Sequence, residues 1–414
     1  MKCDIAIIGA GAAGIASAVA AAESGLNVIL VEKNGFTGGI ASAAMVGTLC
    51  GLYYRSTDQP RFAVQGFARK FAKGIMAKSN TQVETFAQGL AFLPYQIHTF
   101  HQQAVEQLHQ AGVQLLLQSQ LNQVLVKEKS IIELGVISAG RSFSVYPKAV
   151  VDCSGNAQVS ILAGLEMIEQ SQYQSSAFVF QVSGLPQMEP RILSLNIIRW
   201  IRRGIDYGEL DQDCERLSII PGTMDQGHGL FKLGLPAASN QQALILTDYE
   251  LTARLRSVQI IDYLKRTEHL LKDLVITMMA VEVGIRSGSR SQGIEVLEES
   301  HILACAKPDD GVAIGVWPIE YWGKHRKPEM TYFNFDDYYL IPAGTLISKH
   351  LDNLFFAGKA MSATERAIAS ARVIGTCLGT GYASGMLATE TIKKGSWQTA
   401  IEKIRQKQVF PGKV

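Results

Sequence analysis

Residues 4–14 read DIAIIGAGAAG, in which an apolar run from Ile5 to Ile8 passes directly into glycines at 9, 11 and 14. A buried strand that enters a helix through GxGxxG predicts a parallel α/β sheet with a dinucleotide at its carboxyl edge. Gly9 permits the tight turn, Gly11 lets backbone approach a pyrophosphate, and Gly14 lets the helix lie close on the strand. The backbone around Ala10, Ala12 and Ala13 then presents free amides to the phosphates. A second strand, NVILVEK, ends at Glu32 and Lys33. A carboxylate there accepts hydrogen bonds from a ribose diol and disfavours a 2'-phosphate.

Six residues after Glu32 comes a second glycine pair, Gly38 and Gly39, in EKNGFTGGIASAAMVG, followed by the small run through Ile40, Ala41 and Ser42. With the first motif, this combination resembles the glutathione-reductase-type FAD superfamily. More narrowly, it is similar to the FAD-dependent oxidoreductase family related to the fumarate reductase and succinate dehydrogenase flavoproteins. The resemblance implies FAD, with Gly38 and Gly39 touching its diphosphate from the other side. No histidine occurs between Glu32 and Pro60, where the succinate dehydrogenase branch attaches its flavin, which implies a noncovalent cofactor.

The same resemblance extends along the chain. It implies that the strand Leu121–Val126 contacts the adenine through Val124, and that Cys153-Ser154-Gly155 stand where Ala-Thr-Gly is usual, so that Ser154 and Gly155 return to the cofactor. NLFFAG, residues 353–358, is similar to the closing strand of such proteins, which places Gly358, Ser362, Ala363 and Thr364 beside the flavin. The helix after it is expected to run on through ARVIGTCLGTGYASGMLA. The implied architecture is α/β: a discontinuous Rossmann-like FAD-binding domain, residues 1–157 and 345–414, with an α+β substrate domain inserted at 158–344. An alternating stretch, SSAFVFQVSG, suits an antiparallel sheet in that insertion, and residues 248–274 suit a long helix.

Charge and cysteine usage narrow the partners. The chain has 39 basic and 37 acidic residues, with no basic cluster of the kind a nucleic-acid groove requires, so nucleic acid is not expected. Its six cysteines lie far apart without a CxxC pair, which predicts neither a metal site nor a redox dithiol and fits a cytoplasmic protein. Asp4 and the three glycines argue against reading the apolar N-terminal stretch as a membrane span. The expected partners are a small-molecule substrate and an electron donor or acceptor, with homo-oligomerisation open.

With FAD supplying the redox chemistry, the protein has to position a substrate and manage one proton. In VEVGIRSGSRSQG, Arg286 and Arg290 are candidates to bind a carboxylate through their guanidinium forks, or equally to brace the packing. That segment is similar to a GxRESRR element of the family, but Ser287, Gly288 and Ser289 replace its Glu, Ser and Arg. His228 in a glycine-flanked loop, and Glu365 and Arg366 after the closing strand, are further candidates for substrate or proton handling. The segment from Trp317 to Tyr339 gathers aromatic residues with Glu320 and suits either a pocket wall or strand packing. The expected activity is hydride transfer between noncovalent flavin and a small acid, amine or amino acid. Flavin monooxygenation, a thiazole-synthase-like maturation reaction, and a binding protein on an FAD-domain scaffold are the alternatives.

Overall fold

The computed structural model describes residues 1–237, 243–323, 327–408 and 410. The first half supplies strands β1 (Lys2–Ile8), β2 (Val28–Val31), β3 (Gln114–Leu116), β4 (Ser119–Lys127), β5 (Ser130–Ser138) and β6 (Arg141–Asp152), and helices α1 (Ala12–Glu23) and α2 (Ile97–Gln110). They form one sheet in the order β3-β2-β1-β6-β5-β4. β1, β2 and β3 run parallel with the second half of β6, which pairs Lys2 with Tyr146 and Ile8 with Asp152. The first half of β6 belongs instead to an antiparallel meander with β5 and β4. All four residues of β2 and four of the seven in β1 are buried in unbroken succession, as strands covered on both faces require.

Beyond this sheet, β7 (Ser176–Ser183), β8 (Leu217–Ile219), β9 (Gly229–Leu235) and β10 (Val275–Met279) make a four-stranded antiparallel sheet, order β8-β9-β7-β10. Helices α3 (Pro190–Asp206) and α4 (Ala243–Thr267) accompany it. Phe178, Phe180, Phe231 and Leu233 alternate into a core shared with Ile197, Ile201, Ile260 and Leu264. Their in-between neighbours, Val179 and Lys232, are paired across the strands and lie on the opposite face. From Leu297 onward the chain rejoins the first core, to which Ile302, Val312, Ile314, Tyr339 and Ile341 all contribute. Helix α4 stops at Thr267, short of the expected end at 274, where Glu268 turns extended and Leu271 and Leu274 fold into the second core.

The last segment carries β11 (Leu354–Phe356) and helices α5 (Glu365–Ala371) and α6 (Ile374–Lys394). β11 adds in parallel to β6, pairing Phe356 with Asp152. The single helix expected here is interrupted. Thr364 caps α5 by accepting from Ala367 N, and Val373 is extended at ψ 152° before α6 begins. The reason lies across the interface: Gly375 N donates to Cys50 O, and a Cβ at Gly375 would stand 2.4 Å from Gly51 O. The start of α6 is therefore set by its contact with residues 50–51.

Helix α6 then crosses α1 with almost no side chain between the two backbones. A Cβ at Gly381 would lie 2.1 Å from Ala13 O, and one at Gly385 would lie 2.4 Å from Ser17 O. On the other side of α1, a Cβ at Gly14 would lie 1.8 Å from Gly9 O. Gly381→Val is accordingly expected to cost about 3 kcal/mol through overpacking, read as a lower denaturant midpoint. An unchanged midpoint would mean that the helices do not cross at this point.

Candidate active site

The carboxyl ends of β1, β2, β6 and β11 converge on a cavity of about 510 Å³. Its floor is backbone. Gly11 and Gly38 form a parallel bridge and a Cβ at Gly39 would stand 3.0 Å from Gly11 Cα, so the two glycine segments lie backbone against backbone, while a Cβ at Gly11 would meet nothing closer than 4.0 Å. Gly38 N donates to Ala10 O at 2.8 Å and fixes that approach. Glu32 is buried at the end of β2, with Oε2 accepting from Ala10 N at 2.7 Å and Oε1 from Asn34 N at 2.9 Å. The carboxylate thus braces the glycine turn while also lining the cavity. Thr37 N donates to Nδ1 of His101 on α2 at 3.1 Å, which holds the entry to the glycine pair.

Asp152, at the end of β6, is fully buried and accepts from Ser154 N, Ser154 Oγ and Val159 N. Burial raises its pKa and these donors oppose the rise. They organise the turn that brings Ser154 and Gly155 to the cavity wall.

The far end of the cavity is different chemically. Lys232 from β9, Arg286, Arg372 from the α5–α6 break, Glu320, Trp317 and Trp322 all line it. Glu320 accepts from Trp317 Nε1 at 2.7 Å with one oxygen and from Trp322 Nε1 at 2.8 Å with the other. The Lys232 ammonium lies 4.6 Å, and the Arg286 guanidinium 4.3 Å, from the centre of the Trp322 ring. Arg286 Nη1 donates to Ser175 O at 2.6 Å, and Arg372 Nη2 donates to Gln174 Oε1 at 3.2 Å. Burial, then repulsion from Arg372, pushes the Arg286 pKa down to about 9. Burial, then Arg286, pushes Lys232 down to about 8. Lys359, also lining the cavity, is lowered to about 8 by burial and Arg372, and donates to Ile285 O at 2.9 Å. The Cys50 thiol lines the same region but is raised to about 12 by burial, so it stays protonated.

A model of the FAD dependent oxidoreductase family matches residues 4–409. The chain belongs to that family. Among curated proteins, no relative matches the sequence of this FAD-dependent oxidoreductase. Solved structures match its fold at low identity. A geranylgeranyl bacteriochlorophyll reductase-like protein from Thermoplasma acidophilum superposes with a TM-score of 0.50 at 12% identity, over 98% of this chain and 82% of that one. The flavin-dependent brominase Bmp2 gives 0.51 at 13%, over 98% and 83%. CabE, an aromatic hydroxylase from angucycline biosynthesis, gives 0.51 at 12%, over 99% and 68%. The fold is thus the expected α/β one.

The residues present fit FAD: a bare-backbone floor between two glycine segments, an acid at the end of β2, and a buried Ser42 hydroxyl beside Gly38 without a hydrogen-bond partner among the described residues. Of the positions anticipated for the cofactor, Gly9, Gly11, Ala12, Ala13, Glu32, Lys33, Gly38, Gly39, Ile40, Ala41, Ser154, Gly155 and Gly358 line the cavity. Ala10, Gly14 and Ser42 stand directly behind that wall as its braces and packing. Val124 lies in the β4–β5 meander, paired with Leu134, and is not part of the wall. Ser362, Ala363 and Thr364 are also outside it: Ser362 N bonds Thr345 O, Ala363 O accepts from Arg290, and Thr364 caps α5.

The candidate catalytic residues separate just as plainly. Arg286 lines the cavity, whereas Arg290 is 1% exposed and paired with Glu365 at 2.7 Å. Arg366 is held by Glu299 and Glu329, and His228 sits in an exposed turn against Asp225. Glu365 is connected to the chamber at second hand, since Gln174 Nε2 donates to it at 3.3 Å while Gln174 Oε1 accepts from Arg372. Lys232, Lys359 and His101 were not anticipated. Lys232 occupies an alternate position of an ordinary strand, where a lysine reads as solvent-facing, and only the fold shows that this face covers a cavity. Among the described residues, no group of His, Cys, Asp and Glu could hold a metal, and no helix is long and apolar enough to cross a membrane.

Removing the Glu32 carboxylate frees the Ala10 amide and removes an acceptor from the wall. Hydrogen bonds to a charged group are worth about 2 kcal/mol, so Glu32→Ala is expected to weaken FAD binding roughly thirtyfold, measured by fluorescence titration of apoprotein. Unaltered affinity would show that the nucleotide lies elsewhere.

Proposed function

We propose that this oxidoreductase exchanges a hydride between FAD and a small organic acid held at the basic end of the cavity. The observation that carries the reading is continuity: one cavity runs from the two glycine segments to Lys232, Arg286 and Arg372. FAD, when bound, supplies the two-electron acceptor or donor. In this reading Gly11, Gly39, Glu32 and Gly155 hold its nucleotide end, and residues 1–157 with 345–414 form the cofactor-binding part. Residues 158–344 provide most of the acid-binding wall, including Lys232, Arg286, Glu320 and Trp322. The order of strand, glycine turn, acid, glycine pair and returning strand supports placement in the glutathione-reductase-type superfamily.

An anionic substrate is favoured by charge. Three cations face Glu320 as their common carboxylate, while Glu365, which also acts on Arg372, is already paired by Arg290. The indoles hold Glu320 in place without adding charge, so the chamber is left positive. Arg372 Nε is buried without a hydrogen-bond partner among the described residues, as a group reserved for a ligand would be. Arg286 and Arg372 would grip the carboxylate, and the tryptophans would exclude water around it.

Anaerobic mixing of the FAD-loaded protein with lactate, malate, glutamate, glycine and the corresponding uncharged alcohols and amines is expected to bleach the flavin only with acids. Arg286→Lys should slow that bleaching at least tenfold while the flavin content stays the same, because a lysine cannot reproduce the fork. Bleaching by the uncharged compounds alone, or an unaffected Arg286→Lys protein, would refute the acid reading.

A further inference from the structure

Oxidation of a hydroxy or amino acid removes a hydride from carbon and a proton from oxygen or nitrogen, and the chamber must provide for the second. Its groups are nearly all committed, Lys359 through its hydrogen bond to Ile285 O. Both oxygens of Glu320 are occupied in accepting indole N–H groups. Arg286 and Arg372 are tied to Ser175 O and Gln174 Oε1, and a guanidinium does not act as a base at neutral pH. The Cys50 thiol is held protonated by burial. Lys232 differs from all of these. Among the described residues its ammonium has no hydrogen-bond partner and rests against the face of Trp322.

We propose that Lys232 is the catalytic proton carrier of the acid-binding chamber: its neutral Nζ takes the hydroxyl or amino proton as the carbon-bound hydrogen leaves as hydride to FAD. Atoms and electrons balance, since the substrate loses two electrons and two hydrogens and gains a C=O or C=N bond. The hydride would pass to FAD when it is bound, and Nζ becomes an ammonium. In the reverse direction the same ammonium donates. The inference rests on the acid reading above.

Geometry explains why a lysine can serve. Lys232 projects from an inner strand, between β8 and β7, opposite Phe231 and Leu233, which are buried in the second core. The charged and titratable groups facing it are Arg286 and Glu320, with the Cys50 thiol, while Arg372 lies beyond Arg286. Burial and the Arg286 charge favour the neutral amine, and Glu320 partly restores the ammonium. The group consequently titrates near pH 8, within reach of a working enzyme.

The test is stopped-flow reduction of the FAD-loaded enzyme by whichever of lactate, malate, glutamate or glycine bleaches it fastest, across pH 6 to 10 and so on both sides of about 8. A base is active when neutral, so the wild-type reduction rate should rise with pH through about 8 and then level. Lys232→Arg keeps the charge and the ring contact but cannot release a proton; it should bind the acid within threefold of wild type, lose the rising limb, and reduce at least a hundredfold more slowly. Lys232→Met should likewise lose the limb, and either variant judged by unchanged flavin absorbance suffices. Retention of the limb and rate in Lys232→Arg overturns the proposal while leaving the acid reading intact. Failure of every acid to bleach wild-type enzyme overturns both.

Discussion

The contact on which the rest depends is the crossing of α1 and α6, where Gly381 and Gly385 bring one helix backbone against the carbonyls of Ala13 and Ser17. Two helices separated by most of the chain could not approach so closely with larger side chains. Gly14 continues the same stack toward Gly9. Strand, glycine turn, first helix and last long helix therefore form one rigid block. Ser384 Oγ donates to Phe356 O, and Gly358 N donates to Thr380 Oγ1, so that α6 also positions β11 and the turn after it. The cavity wall at Gly358 and the chamber residue Arg372 both inherit their places from that crossing.

The sheet and its cofactor edge were legible because the constraints there act on local backbone. Gly9 and Gly14 sit where no other residue fits the turn and the approach of the helix, and the apolar runs of β1 and β2 mark strands covered on both sides. Glu32 was legible in position but not in its second duty, holding the Ala10 amide, which requires seeing the turn fold back on it. The break between α5 and α6 was not legible. Nothing within residues 365–394 forces it, since its cause is the carbonyls of Cys50 and Gly51.

The basic chamber was half legible for a related reason. Arg286 drew attention because it stands among glycines and serines, and Trp317, Glu320 and Trp322 because they cluster. Arg290 looks equivalent to Arg286 in sequence; four residues on, it is buried against Glu365, and between them the chain passes Gly288, where a Cβ would stand 2.7 Å from Gly155 O. Local spacing cannot distinguish an arginine that lines a cavity from one that faces a carboxylate of its own chain. Lys232 needed still more: knowledge that its face of β9 lies against Trp322.

The parallel pairing of β11 with β6 joins residues separated by some two hundred positions, and it is the late partner that supplies Gly358 to the cavity wall. During synthesis the glycine turn at residue 9 precedes this strand by roughly 345 residues. The cavity wall is thus assembled in time as well as in space: β6 can form before β11, but this part of the wall stays open until the two strands pair. A flavin site closed on this side therefore reports that β6 and β11, far apart in the chain, have paired.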